Sequence, residues 1–195
     1  MKKKSLILAS ASPRRVELLK QMQVEFEQQI ADVDETPLAD ETAEAFVCRL
    51  SLEKAQTVSK KNPKDIAVLG SDTIVVVDEH ILGKPEGYEH AVKMLKMLSN
   101  RTHQVMTAVT LITAETTKTS LNISDVTFMQ LDQGLIDAYW QTGESIDKAG
   151  AYAIQGIGGQ FVREIKGSYS AIMGLPLYET RCLLHEARIS LLGDK

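Results

Sequence analysis

The sequence predicts a mixed α/β fold, and three observations carry that expectation. Short apolar runs of strand type alternate with amphipathic stretches at helical spacing. Two long β patterns, residues 105–112 and 120–129, follow one another directly, which favours antiparallel pairing. The regular strand–helix–strand rhythm of a doubly wound fold is missing, so the sheet is expected to be mixed. With 195 residues, 44% of them hydrophobic, the chain can bury one substantial core or two small lobes around a cleft. A single domain over residues 1–195 is expected.

The first strand is Leu6-Ile7-Leu8-Ala9. Ser12 and Pro13 then mark a helix start, serine as N-cap and proline at the first position, and the helix runs to near Gln21. Its first turn holds Arg14 and Arg15. Cations there oppose the helix dipole at roughly 0.3–1 kcal/mol each, a loss that a bound anion reverses. Two solvated arginines on a surface helix also explain the pair taken alone. Arg15 shares a face with Leu18, Leu19 and Met22, so its head should point toward the strand end that carries Ser10. Arg14 is rotated by about 100° toward the rim.

Residues 24–30 alternate imperfectly and are expected as a strand. An acidic loop follows with Asp32, Asp34, Glu35, Asp40 and Glu41, leading into a helix from Thr42 to near Lys60. Val47, Leu50, Lys54 and Val58 share one face of that helix, so Lys54 must snorkel past the apolar stripe or meet an anion. Residues 66–77 give the strongest strand signal and turn at Asp78-Glu79-His80 into Ile81-Leu82 as a hairpin. Asp72 sits in the middle of that strand. Aspartate is depleted in strands and an ionised carboxylate is costly to desolvate, so Asp72 needs partners.

Residues 88–98 form an amphipathic helix with Ala91, Met94, Leu95 and Leu98 on one face. After the two long β patterns comes a helix capped near Asp132, carrying Ile136 and Tyr139, with Trp140 packing near its end. The passage Gln155-Gly156-Ile157-Gly158-Gly159 is too irregular for an element interior, and a tight turn accounts for it. A strand at 160–165 and a helix at 177–189 complete the chain.

Composition excludes several classes of function. The net charge is −4, aromatic residues make up 5%, and no basic run is longer than Lys2-Lys3-Lys4, so no extended nucleic-acid surface is expected. Any bound anion should be small and held locally. Residues 1–12 imitate a secretory signal, but their apolar patch falls short of the roughly 7 residues such a segment needs. No stretch approaches the roughly 18 apolar residues of a membrane span. Cys48 and Cys182 lack partner spacing, which suits reduced thiols in a cytoplasmic protein. His80, His90, His103 and His185 lack metal-ligand spacing.

Anchored cations therefore stand on three elements: Arg14 and Arg15 at a helix start, Lys54 on an inward face, and Lys84 before a proline that holds it extended. Asp72 and Glu35 are the best candidates to hold a divalent ion, because few, hard oxygen ligands suit magnesium or manganese bound jointly with substrate phosphates. A solvated loop explains Glu35 equally well by itself. Together the groups describe a polyphosphate site, although neither a dinucleotide fingerprint nor a phosphate-loop motif is present.

Five separated motifs now carry a resemblance. Leu8-Ala9-Ser10-Ala11-Ser12-Pro13-Arg14-Arg15, Leu69-Gly70-Ser71-Asp72-Thr73, Gly83-Lys84-Pro85, Asp147-Lys148-Ala149-Gly150-Ala151-Tyr152-Ala153-Ile154-Gln155-Gly156 and Gly174-Leu175-Pro176 stand in the order seen in the Maf family of nucleoside triphosphate pyrophosphatases. The resemblance spans nearly the whole chain. It implies an elongated mixed sheet flanked by helices, in two lobes around a nucleotide cleft, similar to inosine triphosphatases. It also implies hydrolysis of nucleoside triphosphates to monophosphate and pyrophosphate with a divalent metal.

By the same resemblance Asp72 is the proton acceptor for the attacking water, Ser10, Arg15, Lys54 and Lys84 hold phosphates, and Glu35 with Asp72 binds the metal. The pyrimidine-directed branch resembles this chain most, which implies dTTP and UTP as substrates and Arg14, Thr73 and Gln155 as specificity residues. Gln155 suits that role chemically: one carboxamide can both donate to a pyrimidine carbonyl and accept from its N3–H. Modified pyrimidine nucleotides fit the same pattern. Family members form dimers often enough that a homodimer is compatible with the chain. They have also been linked to septum formation, so a nucleotide-sensing regulator with incidental hydrolysis is the alternative, separated by turnover under excess substrate.

Overall fold

The computed structural model describes residues 6–192, so the Lys2-Lys3-Lys4 run lies outside the described residues. Seven strands form one mixed sheet: β1 (Leu6–Ala9), β2 (Glu27–Gln29), β3 (Ala67–Val77), β4 (His80–Leu82), β5 (Thr102–Ile112), β6 (Thr117–Phe128) and β7 (Val162–Lys166). Their order is β2-β1-β3-β5-β6-β7, with β4 paired to β3. β1 pairs in parallel with β2 and β3, whereas β3–β4 and β6–β7 are antiparallel. Six α-helices among the described residues flank it: α1 (Pro13–Gln21), α2 (Ala43–Ser59), α3 (Tyr88–Leu98), α4 (Gln133–Gln141), α5 (Tyr169–Met173) and α6 (Leu177–Glu186). The expected mixed α/β class holds.

Three departures from the sequence reading have local causes. The strand expected at 24–30 shrinks to Glu27–Gln29, an edge strand of polar residues that, among the described residues, pairs with β1 alone. α5 is five residues long, too short to show a helical period. The last helix stops at Glu186, three residues early, where Arg188 takes a positive φ of 58°.

The chain divides into two compact units. One contains the residues up to Asp72, Thr107–Asn122 and those from Gly174 onward; the other contains Thr73–Met106 and Ile123–Met173. In the first unit, Ile7 and Ala9 of β1 and Val68 of β3 pack with Ala55 and Val58 of α2. Burial of such an aliphatic side chain stabilises by roughly 1.5–3 kcal/mol. The Thr42 hydroxyl caps α2 by accepting from Ala45 N at 3.2 Å. Gly70 lets the helix lie directly on β3, since a Cβ there would stand 2.8 Å from Ala55 N and collide with the Ser51 carbonyl oxygen.

The second unit is built round aromatic residues. Phe128 meets His103, Tyr152 and Phe161 edge-on, with centroids 4.9, 4.7 and 5.9 Å apart, and Tyr139 meets Phe161 at 4.9 Å. Ala91, Met94, Leu95 and Leu98 bury the expected face of α3 against this cluster. Asp78 and Glu79, with φ of 48° and 65°, make the two-residue turn of the β3–β4 hairpin.

Candidate active site

Asp72 is 6% exposed in the middle of β3, where an ionised carboxylate needs partners. Lys54, on the inward stripe of α2 and 8% exposed, supplies one. Its ammonium donates to Asp72 Oδ1 at 2.6 Å and lies 2.6 Å from Glu35 Oε1. Of the two outcomes open for Lys54, the structure shows the anionic contact: the head stays buried between two carboxylates. Burial pushes the Asp72 carboxyl above its usual range, against the opposing pull of Lys54 and Arg15.

Ser10 and Arg15 join the same unit. The parallel register that aligns Ala9 with Gly70 brings the end of β1 alongside residues 70–72. Ser10 Oγ accepts from Ser12 N at 3.1 Å and from Arg15 Nη1 at 3.3 Å. This is the direction expected for the Arg15 head. Burial favours loss of charge from Arg15, which the carboxylates of Asp72 and Glu35 oppose and its neighbour Arg14 reinforces. Pro13 occupies the first turn of α1, Ser12 holds the N-cap position without a side-chain capping bond, and no acid stands in that turn.

Two supports escaped the sequence reading. Arg15 Nε donates to the Gly174 carbonyl at 2.8 Å, and Ser71 Oγ stands 3.0 Å from that same oxygen and 2.9 Å from the Ala108 carbonyl. One hydroxyl proton serves one carbonyl at a time. The motif Gly174-Leu175-Pro176 thus provides an anchor for a guanidinium, and Gly174 has a φ of 116°, which side-chain-bearing residues avoid. Arg49 of α2 is the second support. It forms a bidentate pair with Glu41 at 2.7 and 2.8 Å, reaches the Thr36 carbonyl at 3.1 Å and pairs with Glu53 at 3.2 Å. It thereby ties down the acidic loop on both sides of Leu38, next to Glu35.

Of the remaining expected residues, Arg14 lies on α1 in the first unit, and Thr73, Lys84 and Gln155 belong to the second. Arg14 is half-buried on α1. Thr73 and Lys84 belong to the second unit, Thr73 half-buried in β3 and Lys84 exposed after β4, where the Gly83 carbonyl accepts from Gly150 N at 3.1 Å. Gln155 is exposed, following the buried residues Tyr152, Ala153 and Ile154.

Asp72 and Glu35 fit a small hard cation. Both oxygens already converge on one positive charge at 2.6 Å, and carboxylates are the donors that magnesium and manganese prefer. Among the described residues, no group of three or more His, Cys, Asp or Glu side chains comes together as a metal cage. A cation here would complete its shell from water and phosphate oxygens.

Comparison with known proteins identifies the family. Residues 5–187 match the family model described as Maf-like protein. The chain is 53% identical over 189 residues to a dTTP/UTP pyrophosphatase of Pseudoalteromonas atlantica, covering 95% of this chain and 97% of that protein. It is 50% identical to one of Vibrio parahaemolyticus, covering 93% and 96%, and 49% identical to one of Salmonella typhimurium, covering 98% and 96%. In fold it resembles the Staphylococcus aureus Ham1 protein, with a TM-score of 0.55 at 16% identity, over 93% of this chain and 98% of that one.

Proposed function

From the premise that the chain belongs to the Maf family, we propose that it is a nucleoside triphosphate pyrophosphatase acting on dTTP and UTP. It yields the monophosphate and pyrophosphate and so clears these nucleotides, or modified pyrimidine forms of them, from the pool. The observation that carries this reading is the buried Lys54 ammonium held between Asp72 and Glu35. A cation–carboxylate cluster of that kind, with Arg15 beside it, suits the charge that develops when a phosphoric anhydride is cleaved. The whole chain serves as one catalytic domain, and the cytoplasm, where nucleotide pools lie, is its place of action. Two free cysteines accord with that compartment. Among the described residues no helix is long and apolar enough to cross a membrane.

In the proposed reaction a water oxygen attacks the α-phosphorus, the bond from that phosphorus to the bridging oxygen breaks, and pyrophosphate leaves with the bond's electron pair. Asp72 accepts the water proton at its carboxylate. A free aspartate, with a pKa near 3.9, is a weak base at neutral pH, and the upward push of burial brings Asp72 closer to the task. Ser10, Arg15, Lys54 and Lys84 hold phosphate oxygens and neutralise the charge that builds on them. A divalent cation held by Asp72 and Glu35 supplies Lewis-acid polarisation when bound. Arg14, Thr73 and Gln155 select the base.

A pyrophosphate-release screen over dTTP, UTP, GTP and 7-methyl-GTP, with magnesium or manganese, tests substrate and cofactor together. Faster release from dTTP and UTP is expected; equal rates across the panel refute the pyrimidine assignment. Saturable binding without release supports the regulator instead, a role the relatives named as pyrophosphatases do not favour.

A further inference from the structure

The glycine-rich passage after Gln155 is explained by two side chains from outside it. Glu144, three residues past the end of α4, accepts from Ile157 N through Oε1 and from Gly158 N through Oε2, both at 2.8 Å. Its Oε2 also accepts from the Tyr139 hydroxyl at 2.8 Å. That hydroxyl in turn accepts from Ala153 N at 3.1 Å. The peptide is therefore gripped two residues before Gln155 and two and three residues after it, by one tyrosine–glutamate couple. Both side chains and the passage belong to the same unit.

The glycines follow from this grip. A Cβ on Gly156 would overlap the Glu144 carboxylate, and one on Gly158 would stand 2.7 Å from the Tyr139 oxygen and 3.0 Å from the Ala153 carbonyl. The sequence Gly156-Ile157-Gly158-Gly159 clears space for a carboxylate to reach the backbone. Tyr139 is held firmly: it is 2% exposed and packs edge-on against Phe161. Burial raises the Glu144 carboxyl, but the donors on Gly158, Ile157 and Tyr139 outweigh it and keep the group below the usual carboxylate range. Gln155, at the centre of this gripped segment, is exposed.

We propose that Glu144 and Tyr139 are positioning residues for base selection, fixing backbone 153–158 so that the Gln155 carboxamide meets the pyrimidine edge in one orientation. The inference rests on the assignment of Gln155 to base reading. Its physical basis is the geometry of amide recognition. A carboxamide distinguishes bases only if its oxygen and nitrogen each face the right partner, and hydrogen bonds weaken steeply off line. A segment with three glycines in five residues is otherwise free to sample many backbone states, and ordering it at the moment of binding would weaken affinity for the matching base. The couple orders it beforehand.

The test uses the full-length protein and three single variants, Glu144→Gln, Tyr139→Phe and Gln155→Ala, with the double variant of Glu144→Gln and Gln155→Ala. Steady-state kcat and KM are measured for dTTP, UTP and GTP, with a thermal melt on each variant. Loss of one well-placed hydrogen bond corresponds to about tenfold, so kcat/KM for dTTP and UTP should fall by about that factor in Glu144→Gln and Tyr139→Phe, mostly through KM. The GTP value should change by less than about threefold, so that the dTTP-to-GTP ratio drops. In the Gln155→Ala background, Glu144→Gln should lower the ratio no further, because it acts through Gln155.

An unchanged ratio in either folded variant overturns the proposal. So does an equal fall for all three nucleotides, an additive fall in the double variant, or failure of both Glu144→Gln and Tyr139→Phe to fold, each of which marks the couple as structural support alone. A wild-type protein without preference for dTTP or UTP, or a Gln155→Ala variant that keeps it, instead overturns the functional assignment beneath it.

Discussion

Replacement of Lys54 by methionine isolates the charge at the centre of the site. Methionine keeps an unbranched, flexible stem that can fill the same stripe of α2, so the packing loss stays below about 1.5 kcal/mol. What disappears is the ammonium 2.6 Å from Asp72 Oδ1. Glu35, whose side chain is 48% exposed, can turn to water, but Asp72 cannot. Removing one partner of a buried pair costs about 3–5 kcal/mol, which for a chain of this size lowers the melting temperature by roughly 6–20 °C.

The sign of the pH dependence follows from Asp72. Burial already raises its carboxyl in the folded state, and Lys54 is the largest influence holding it down. Without Lys54 it rises further. A group whose folded pKa lies above its unfolded value contributes stability that is complete below the unfolded pKa and is lost as pH rises through the folded one. The deficit of Lys54→Met should therefore grow as pH rises and shrink as pH falls, read from thermal melts of both proteins from pH 5 to pH 8. Adding Asp72→Asn should recover most of the lost stability without restoring turnover. A deficit of equal size at both ends of the range, or no recovery in the double variant, refutes the account.

Arg49→Ala should lower kcat/KM by about 10–100-fold through release of the loop that carries Glu35, and should also lower the melt, since the Glu41 side chain left without its partner is 8% exposed. Arg49→Lys should restore little, since an ammonium cannot make the bidentate pair with Glu41; full rescue by lysine counts against the role. Gly70→Ala forces α2 away from β3 and should destabilise by about 1–3 kcal/mol or more in denaturant unfolding, with a matching loss of activity; an unchanged midpoint contradicts the close contact. His103, 2% exposed and bonded through Nε2 to the Tyr152 hydroxyl at 2.9 Å, has its pKa pushed down to about 4 by burial. Its stabilising contribution is complete above pH 6.5 and should be lost, by about 3 kcal/mol, as pH falls through about 4; a His103→Gln variant with an equally steep acid limb disproves this.

Much of the architecture was legible because apolar spacing is a local signal. The inward face of α2, the α3 face and the β3–β4 hairpin all appear where periodicity and turn residues put them. So did the oddities that point to chemistry: an aspartate inside a strand, a lysine on an apolar stripe, arginines in a first turn. What remained hidden depends on partners distant in sequence or on backbone atoms. No periodicity reveals that a carbonyl at Gly174 anchors Arg15, or that the Arg49 side chain clasps a loop. The passage after Gln155 read as a tight turn because the carboxylate that demands its glycines lies on Glu144, and nothing in the spacing links the two.

The bond from Arg15 to Gly174 spans 159 positions of the chain. Closing so long a loop from the unfolded state costs on the order of 4–5 kcal/mol of entropy, more than one hydrogen bond returns. The contact cannot nucleate folding; it has to be delivered by a sheet already formed. Since synthesis runs from the N-terminus, Arg15 is made early and its anchor late. A growing chain therefore lacks the bond that holds the Arg15 guanidinium until residue 174 has been added and docked. Residue 174 thus sets the earliest point in synthesis at which the Arg15 guanidinium can be held as it is in the finished fold.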